Sequence, residues 1–186
     1  MSSDAIYIAL GANLPYGEHT PGETLAAALA ALGEAGVTVA ARSSDWSSPA
    51  WPDPSDPPYV NAVARVTTDM SPRALLDTLH RIEARFGRER SVRNAPRSLD
   101  LDLIDHGGRV ERDAAGLEIP HPRATGRAFV LLPLQEIAPD WRDPVSGRRI
   151  DDLVAALPRA DRDAMSKLQT VPPEAPTSLA FAGRES

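Results

Sequence analysis

Cysteine is absent from the 186 residues, which excludes disulfides and thiolate metal sites and fits a reducing cytoplasm. Lysine occurs once, at Lys167, against 19 arginines. Genomic base composition produces such a skew, so arginine richness alone carries little. No apolar run approaches the roughly 20 residues of a membrane helix. Met1-Ser2-Ser3-Asp4 lacks the basic and apolar segments of a secretory leader. No repeat or heptad is present. Positive charge is in deficit, 20 Lys and Arg against 26 Asp and Glu, and a net charge of −6 argues against a general nucleic-acid binder. What remains is a soluble, cytoplasmic, globular chain long enough for one domain with a proper core.

Against that acidic background stands a basic island. Arg85 to Arg97 carry arginines 85, 88, 90, 93 and 97 and a single glutamate, net +4, so the other residues sum to −10. The island runs into Ser98-Leu99-Asp100-Leu101-Asp102-Leu103-Ile104. On a strand, Asp100 and Asp102 leave one face while Leu99, Leu101 and Leu103 leave the other. Paired carboxylates are hard oxygen ligands suited to Mg²⁺ or Mn²⁺. Guanidinium forks match phosphate oxygens. The D-x-D spacing by itself is uninformative, since Asp161-Arg162-Asp163 repeats it. A charge run paired with Glu83 and Glu89 is also the ordinary fate of such residues. A basic island on an acidic chain nevertheless focuses potential where an anion would bind, so both readings stand at this point.

The remaining pattern is α+β. Ala5–Leu10 reads as a strand, and Thr20-Pro21-Gly22-Glu23 as a capping box with proline at the first helical position. Leu25, Leu29 and Leu32 form that helix's buried stripe, with an end near Gly33 or Gly36. Val37–Trp46 is a second strand, and Ser47–Pro58, with five prolines, is a loop. Tyr59–Thr68 alternates as a half-buried strand. Ser71-Pro72 caps a second helix with Leu75, Leu79, Ile82 and Phe86 on one face and Gly87 as terminator. Gly107-Gly108 marks a turn with a possible hairpin into Val110, and Ile150, Leu153, Val154 and Leu157 mark a last helix. The order β-α-β-β-α-β is the ferredoxin-like arrangement, an antiparallel sheet with helices on its faces, here with a C-terminal helical extension. Residues 1–169 form the single expected domain. Residues 170–186, with three prolines and few large apolar side chains, read as a disordered tail.

Arg93-Asn94-Ala95-Pro96-Arg97-Ser98-Leu99-Asp100-Leu101-Asp102-Leu103-Ile104 resembles the signature of the 6-hydroxymethyl-7,8-dihydropterin pyrophosphokinase family of folate biosynthesis. The resemblance includes Ile8-Ala9-Leu10-Gly11-Ala12-Asn13-Leu14, Tyr59-Val60-Asn61-Ala62, Ile119-Pro120-His121-Pro122-Arg123 and Arg127-Ala128-Phe129. It implies transfer of the β,γ-pyrophosphoryl group of ATP to the pterin's hydroxymethyl oxygen, leaving AMP. It implies Asp100 and Asp102 as holders of two Mg²⁺ ions, and Arg88 and Arg97 as the clamp on the transferring phosphates. Glu83, Arg90, Arg93, His121 and Arg127 match positions around ATP. Gly11, Ser48, Pro49, Trp51, Tyr59, Asn61 and Phe129 match the pterin side, where Tyr59 and Phe129 would sandwich the ring. The chain departs from many members at Asn94, where they carry an aromatic, and its arginine loop is one residue shorter than in some. That loop, Arg88–Arg97, is expected to order over bound nucleotide. No membrane or nucleic-acid partner is implied, and no protein partner is indicated.

A non-catalytic ferredoxin-like module for RNA or a small ligand is the main alternative. An RNA-binding sheet shows aromatics on its central strands and a basic face. Here the strand from Tyr59 has one aromatic, the Asp strand has none, and the net charge is negative. A nucleotidyl transferase would keep the metal-binding carboxylates but release pyrophosphate in place of AMP.

Overall fold

The computed structural model describes residues 5–51, 53–87 and 98–169. The expectations for Arg88, Arg90, Arg93, Asn94 and Arg97, and for the tail at 170–186, lie outside the described residues.

The chain forms β1 (Ile6–Ala12), α1 (Pro21–Glu34), β2 (Thr38–Arg42), β3 (Trp46–Ser48), β4 (Tyr59–Thr67), α2 (Pro72–Arg85) and β5 (Asp100–His106). A small hairpin of β6 (Glu111–Arg112) and β7 (Glu118–Ile119) follows, then a 3₁₀ turn (Ala124–Gly126). The described chain ends with α3 (Ala128–Ile137), α4 (Ile150–Ala156), α5 (Arg159–Asp163) and β8 (Ser166–Lys167). The main sheet has the order β5-β1-β4-β3-β8, with β2 also paired to β4, and every pairing is antiparallel. This is the ferredoxin-like α+β fold with helices on both faces. Among the described residues no helix is long and apolar enough to cross a membrane.

Local signals start both long helices where the sequence indicates. Thr20 Oγ1 accepts the Glu23 N–H while the Glu23 carboxylate accepts the Thr20 N–H, closing a capping box ahead of Pro21. Ser71 accepts the Ala74 N–H in the same way before Pro72. Leu25, Leu32, Leu75, Leu79 and Ile82 then pack on Ile8, Leu10, Leu101 and Leu103 to form the first core. Gly36, at φ 83°, turns the chain after α1 in a conformation that side chains disfavour.

Four expectations are corrected. The single strand expected over Val37–Trp46 is divided in two, and β2 and β3 both lie along one edge of β4. Ser43 causes the break: its N–H donates to Val63 O at 2.9 Å, and its Oγ accepts the Val63 N–H at 3.0 Å. A side-chain oxygen has replaced a ladder carbonyl, and β3 extends through Ser48, so the proline loop begins at Pro49. The strand from Tyr59 is buried on both faces over its middle, because Val63, at 0% exposure, packs under α3. The turn at Gly107-Gly108 is present, with φ of 66° and 72°, but Glu111–Arg112 beyond it pairs with β7 and not back onto β5.

The second core lies between the sheet and α3–α4, and contains Tyr7, Val63, Ile104, Leu131, Leu134 and Trp141. Where β1 pairs with β5, Tyr7 faces Asp105 and Ile8 faces Leu103, so Ile104 is an extra residue. That bulge turns Asp105 toward the same core as Ile104. Asp105 is 4% exposed and accepts the Trp141 Nε1–H and the Gly108 N–H, each at 2.9 Å. Burial raises its pKa, and these two hydrogen bonds oppose the rise. Trp141→Phe should therefore leave a buried carboxylate oxygen short of a donor, at a cost of about 1–3 kcal/mol in denaturant unfolding. A raised folded-state pKa means that ionised Asp105 opposes folding, an effect relieved as pH falls through that pKa. The deficit of Trp141→Phe should thus be smaller in acidic buffer than at neutral pH.

Candidate active site

On the α3 side of the sheet, β1 presents Tyr7, Ala9 and Gly11, β4 presents Tyr59, Asn61 and Val63, and β5 presents Asp100, Asp102 and Ile104. α3 covers Tyr7, Val63 and Ile104. The uncovered end of this face is a cleft of about 590 Å³. Ala9, Leu10 and Gly11 line its floor, with Asp100 and Asp102 on one flank and Tyr59 and Asn61 on the other. Ser48, Pro49 and Trp51 close the β3 side, and Arg123, Gly126, Arg127 and Phe129 form the wall ahead of and within α3.

Register sets the spacing. Gly11 faces Asn61 across one ladder and Asp100 across the other. Adjacent strands lie about 4.8 Å apart, so Asn61 and Asp100 stand roughly 10 Å apart with a glycine between them. An ideal Cβ on Gly11 would lie 3.4 Å from Asn61 Oδ1, in van der Waals contact with it, so a side chain here would occupy the floor beside the amide. Asn61, 4% exposed, donates its amide to Ser48 Oγ at 2.9 Å and to Trp46 O at 3.3 Å. With the amide nitrogen so engaged, Oδ1 turns toward Gly11 as an acceptor.

The opposite flank is charged. Asp102 Oδ2 lies 3.8 Å from His121 Nε2 and 3.7 Å from Arg127 Nη1. The Arg127 guanidinium also lies 5.4 Å from the centre of the Phe129 ring, within cation–π range. His121 Nδ1 accepts the Arg123 N–H at 3.2 Å, so the neutral ring carries its proton on Nε2, toward Asp102. Burial, then the Arg127 and Arg123 charges, lower the His121 pKa to about 4, against an opposing pull from Asp100. His121 is therefore an uncharged donor near neutral pH.

All seven residues expected on the pterin side line this one cleft, as do Asp100, Asp102 and Arg127. His121 stands just behind Asp102. Glu83 is elsewhere. It is 1% exposed on α2, outside the cleft lining, and its Oε1 accepts the Leu101 N–H at 2.7 Å between the two aspartates. Arg88, Arg90, Arg93 and Arg97 are outside the described residues. Ala9, Leu10, Arg123 and Gly126 also line the cleft; the first three stand in the motifs quoted from the sequence but were given no site role there. For Ala9 the missed signal was its place two residues before Gly11 on one strand face. For Arg123 it was the turn that begins at His121.

Fold and cleft together define an α+β protein whose cleft joins a partly aromatic half to a half of carboxylates and guanidiniums. Residues 7–139 match the family model described as 7,8-dihydro-6-hydroxymethylpterin-pyrophosphokinase (HPPK), and the chain belongs to that family. The 2-amino-4-hydroxy-6-hydroxymethyldihydropteridine pyrophosphokinase of Pseudomonas aeruginosa is 41% identical over 155 residues, which cover 82% of this chain and 91% of that protein. The protein of the same name from Synechocystis sp. is 48% identical over 120 residues, which cover 64% of this chain and 60% of that protein. The crystal structure of a Plasmodium falciparum HPPK-DHPS triple mutant matches 82% of this chain and 44% of its own, with a TM-score of 0.61 at 12% identity, a likeness of fold.

Glu83 ties α2 to the strand that carries both aspartates. Glu83→Ala should leave the buried Leu101 N–H without this acceptor and cost about 1–3 kcal/mol of stability. Amide exchange should locate the loss, with the Leu101 amide losing protection more than the β1–β4 ladder does.

Proposed function

We propose that this cleft transfers the β,γ-pyrophosphoryl group of ATP to the hydroxymethyl oxygen of 6-hydroxymethyl-7,8-dihydropterin, in folate synthesis. Family membership supports the reaction class. The observation that carries the assignment to this cleft is the register row Asn61–Gly11–Asp100, which sets a ring-edge acceptor and a carboxylate on either side of a side-chain-free floor. In the reaction the hydroxymethyl oxygen bonds to the β-phosphorus of ATP, the bond from that phosphorus to the α,β-bridging oxygen breaks, AMP leaves, and the hydroxyl proton is released to water.

The pterin would lie between Tyr59 and Phe129, whose aromatic side chains line the cleft. Asn61 Oδ1 would accept from a ring N–H, held by the bonds to Ser48 and Trp46. Gly11 permits close approach, and Ser48, Pro49 and Trp51 close the far edge. Arg127 and neutral His121 would donate to phosphate oxygens, and His121 can do so without proton transfer. By resemblance Arg88 and Arg97 would hold the transferring group, with Arg90 and Arg93 over the nucleotide. Arg123 has no ion pair with any described residue and lines the cleft, which makes it a further anion contact.

Asp100 and Asp102 fit Mg²⁺. They are two half-buried carboxylates on one strand face, and Mg²⁺ favours one or two carboxylates with substrate phosphates and water. Two ions bound there would neutralise triphosphate charge and polarise the phosphorus under attack.

The test is to incubate the protein with Mg-ATP and the hydroxymethyl-dihydropterin and identify the nucleotide product. AMP with pterin diphosphate is expected, whereas released pyrophosphate would indicate nucleotidyl transfer. Asp100→Ala and Asp102→Ala should each lose several kcal/mol of transition-state stabilisation, at least about 100-fold in kcat/KM, with little change in melting temperature. Wild-type turnover in both would refute the role.

The two halves of the cleft should also separate in binding. Tyr59→Ala and Phe129→Ala should weaken pterin binding by about 1–3 kcal/mol and leave ATP binding nearly intact, as calorimetric titration of each ligand would show. Equal losses for both ligands would assign the rings to the core.

A further inference from the structure

We propose that the segment carrying the chain's one lysine acts as a clasp that positions the pterin half of the cleft. Residues Lys167 and Glu136 are the positioning pair, and the proposal rests on the functional reading above.

β3 would be an edge of the sheet without the last strand. β8 pairs with it, Trp46 opposite Lys167 and Ser47 opposite Ser166, and the Leu168 N–H adds a bond to Asp45 O at 2.8 Å. A two-residue strand has little holding power of its own. Its anchor is electrostatic: Lys167 Nζ lies 3.3 Å from Glu136 Oε2 and 5.2 Å from the Trp46 ring centre.

Glu136 ties the same strand to α3. Its Oε1 accepts the Ser44 N–H at 2.9 Å and the Ser44 hydroxyl at 2.7 Å, and its Oε2 accepts the Trp46 Nε1–H at 3.0 Å. One carboxylate thus holds the break between β2 and β3, the indole on β3 and the clasp strand. On its inner edge, β3 supplies Trp46 O and Ser48 Oγ, which fix the Asn61 amide. One chain of contacts runs from Lys167 through Glu136 and β3 to the Asn61 acceptor. A shift of β3 would turn Asn61 Oδ1 away from a ring-edge donor. The carboxylate flank on β5, two strands beyond β4 in the sheet order, would be unaffected.

The experiment uses the full chain in four forms: wild type, Glu136→Gln, Lys167→Ala and Lys167→Arg. The glutamine presents an N–H to Trp46 Nε1–H and Lys167, or else to Ser44, where in either case an acceptor is required. Calorimetry with 6-hydroxymethyl-7,8-dihydropterin and, separately, with a non-hydrolysable Mg-ATP analogue gives the two affinities. Glu136→Gln and Lys167→Ala should weaken pterin binding about three- to tenfold, the range of one or two lost hydrogen bonds, with the nucleotide analogue within twofold of wild type. Lys167→Arg should restore it. Unchanged pterin affinity in both folded variants, equal loss for both ligands, or failure of Lys167→Arg to rescue would each overturn the proposal. Amide exchange at Trp46–Ser48 reads the clasp without any ligand and should accelerate in Lys167→Ala. Unchanged exchange there overturns the clasp, whereas a wild type that fails to bind pterin while this exchange accelerates refutes the functional reading and not the clasp.

Discussion

The site depends on the pairing of β1 between β4 and β5. That strand lays Ala9, Leu10 and Gly11 along the cleft floor, and its two ladders bring Asn61 and Asp100 to the same level on either side of Gly11. A slip of one residue in either ladder would turn one flank into the opposite core. Such a slip would bury Asp100 beside Leu25 and Leu79 while turning Leu101 toward the cleft, or bury Asn61 while exposing Ala62 there. The cost of either outcome makes the register unambiguous. The hydrophobic pattern that folds the sheet therefore also sets the reach of the site.

The second constraint is the length of α3. Both faces of the sheet are covered, but the helix at Ala128–Ile137 lies over Tyr7, Val63 and Ile104 and leaves the small residues at positions 9 and 11 open. The cleft is where a core was left unfinished. Its apolar half retains the character of that core, through Tyr59, Pro49 and Phe129. Its charged half belongs to the edge strand β5, where α2 replaces a missing neighbour strand through Glu83 and Leu101. A buried carboxylate in that position holds the backbone between two other carboxylates from behind, while the strand itself sets their separation.

Much of this was legible in the sequence, for identifiable reasons. The starts of α1 and α2 were local, written in Thr20 and Ser71 with a proline after each. The common face of Asp100 and Asp102 follows from strand alternation alone. What escaped was tertiary. The helix α3 reads Ala-Phe-Val-Leu-Leu-Pro-Leu-Gln-Glu-Ile, apolar nearly all round with an internal proline, so no periodicity announced it. Because α3 was invisible, β4 looked half-buried. The break at Ser43 depends on an oxygen meeting Val63 twenty residues away, and Glu83 looks like any polar helix residue until Leu101 is placed against it.

The charged half of the cleft shows how the fold collects cations without repulsion dominating. Asp102 stands near Arg127 and His121, and Arg123 borders the same space. A third positive charge there would be costly in a partly buried setting. The protein avoids it by the backbone: the Arg123 N–H occupies His121 Nδ1, and burial with the two guanidiniums keeps the ring neutral. The result is a directional donor that adds no charge, placed beside two fixed cations and facing a carboxylate. Such a set can meet an anionic ligand with little reorganisation, because its positive charges are carried by guanidiniums that stay protonated and its one imidazole is already held neutral.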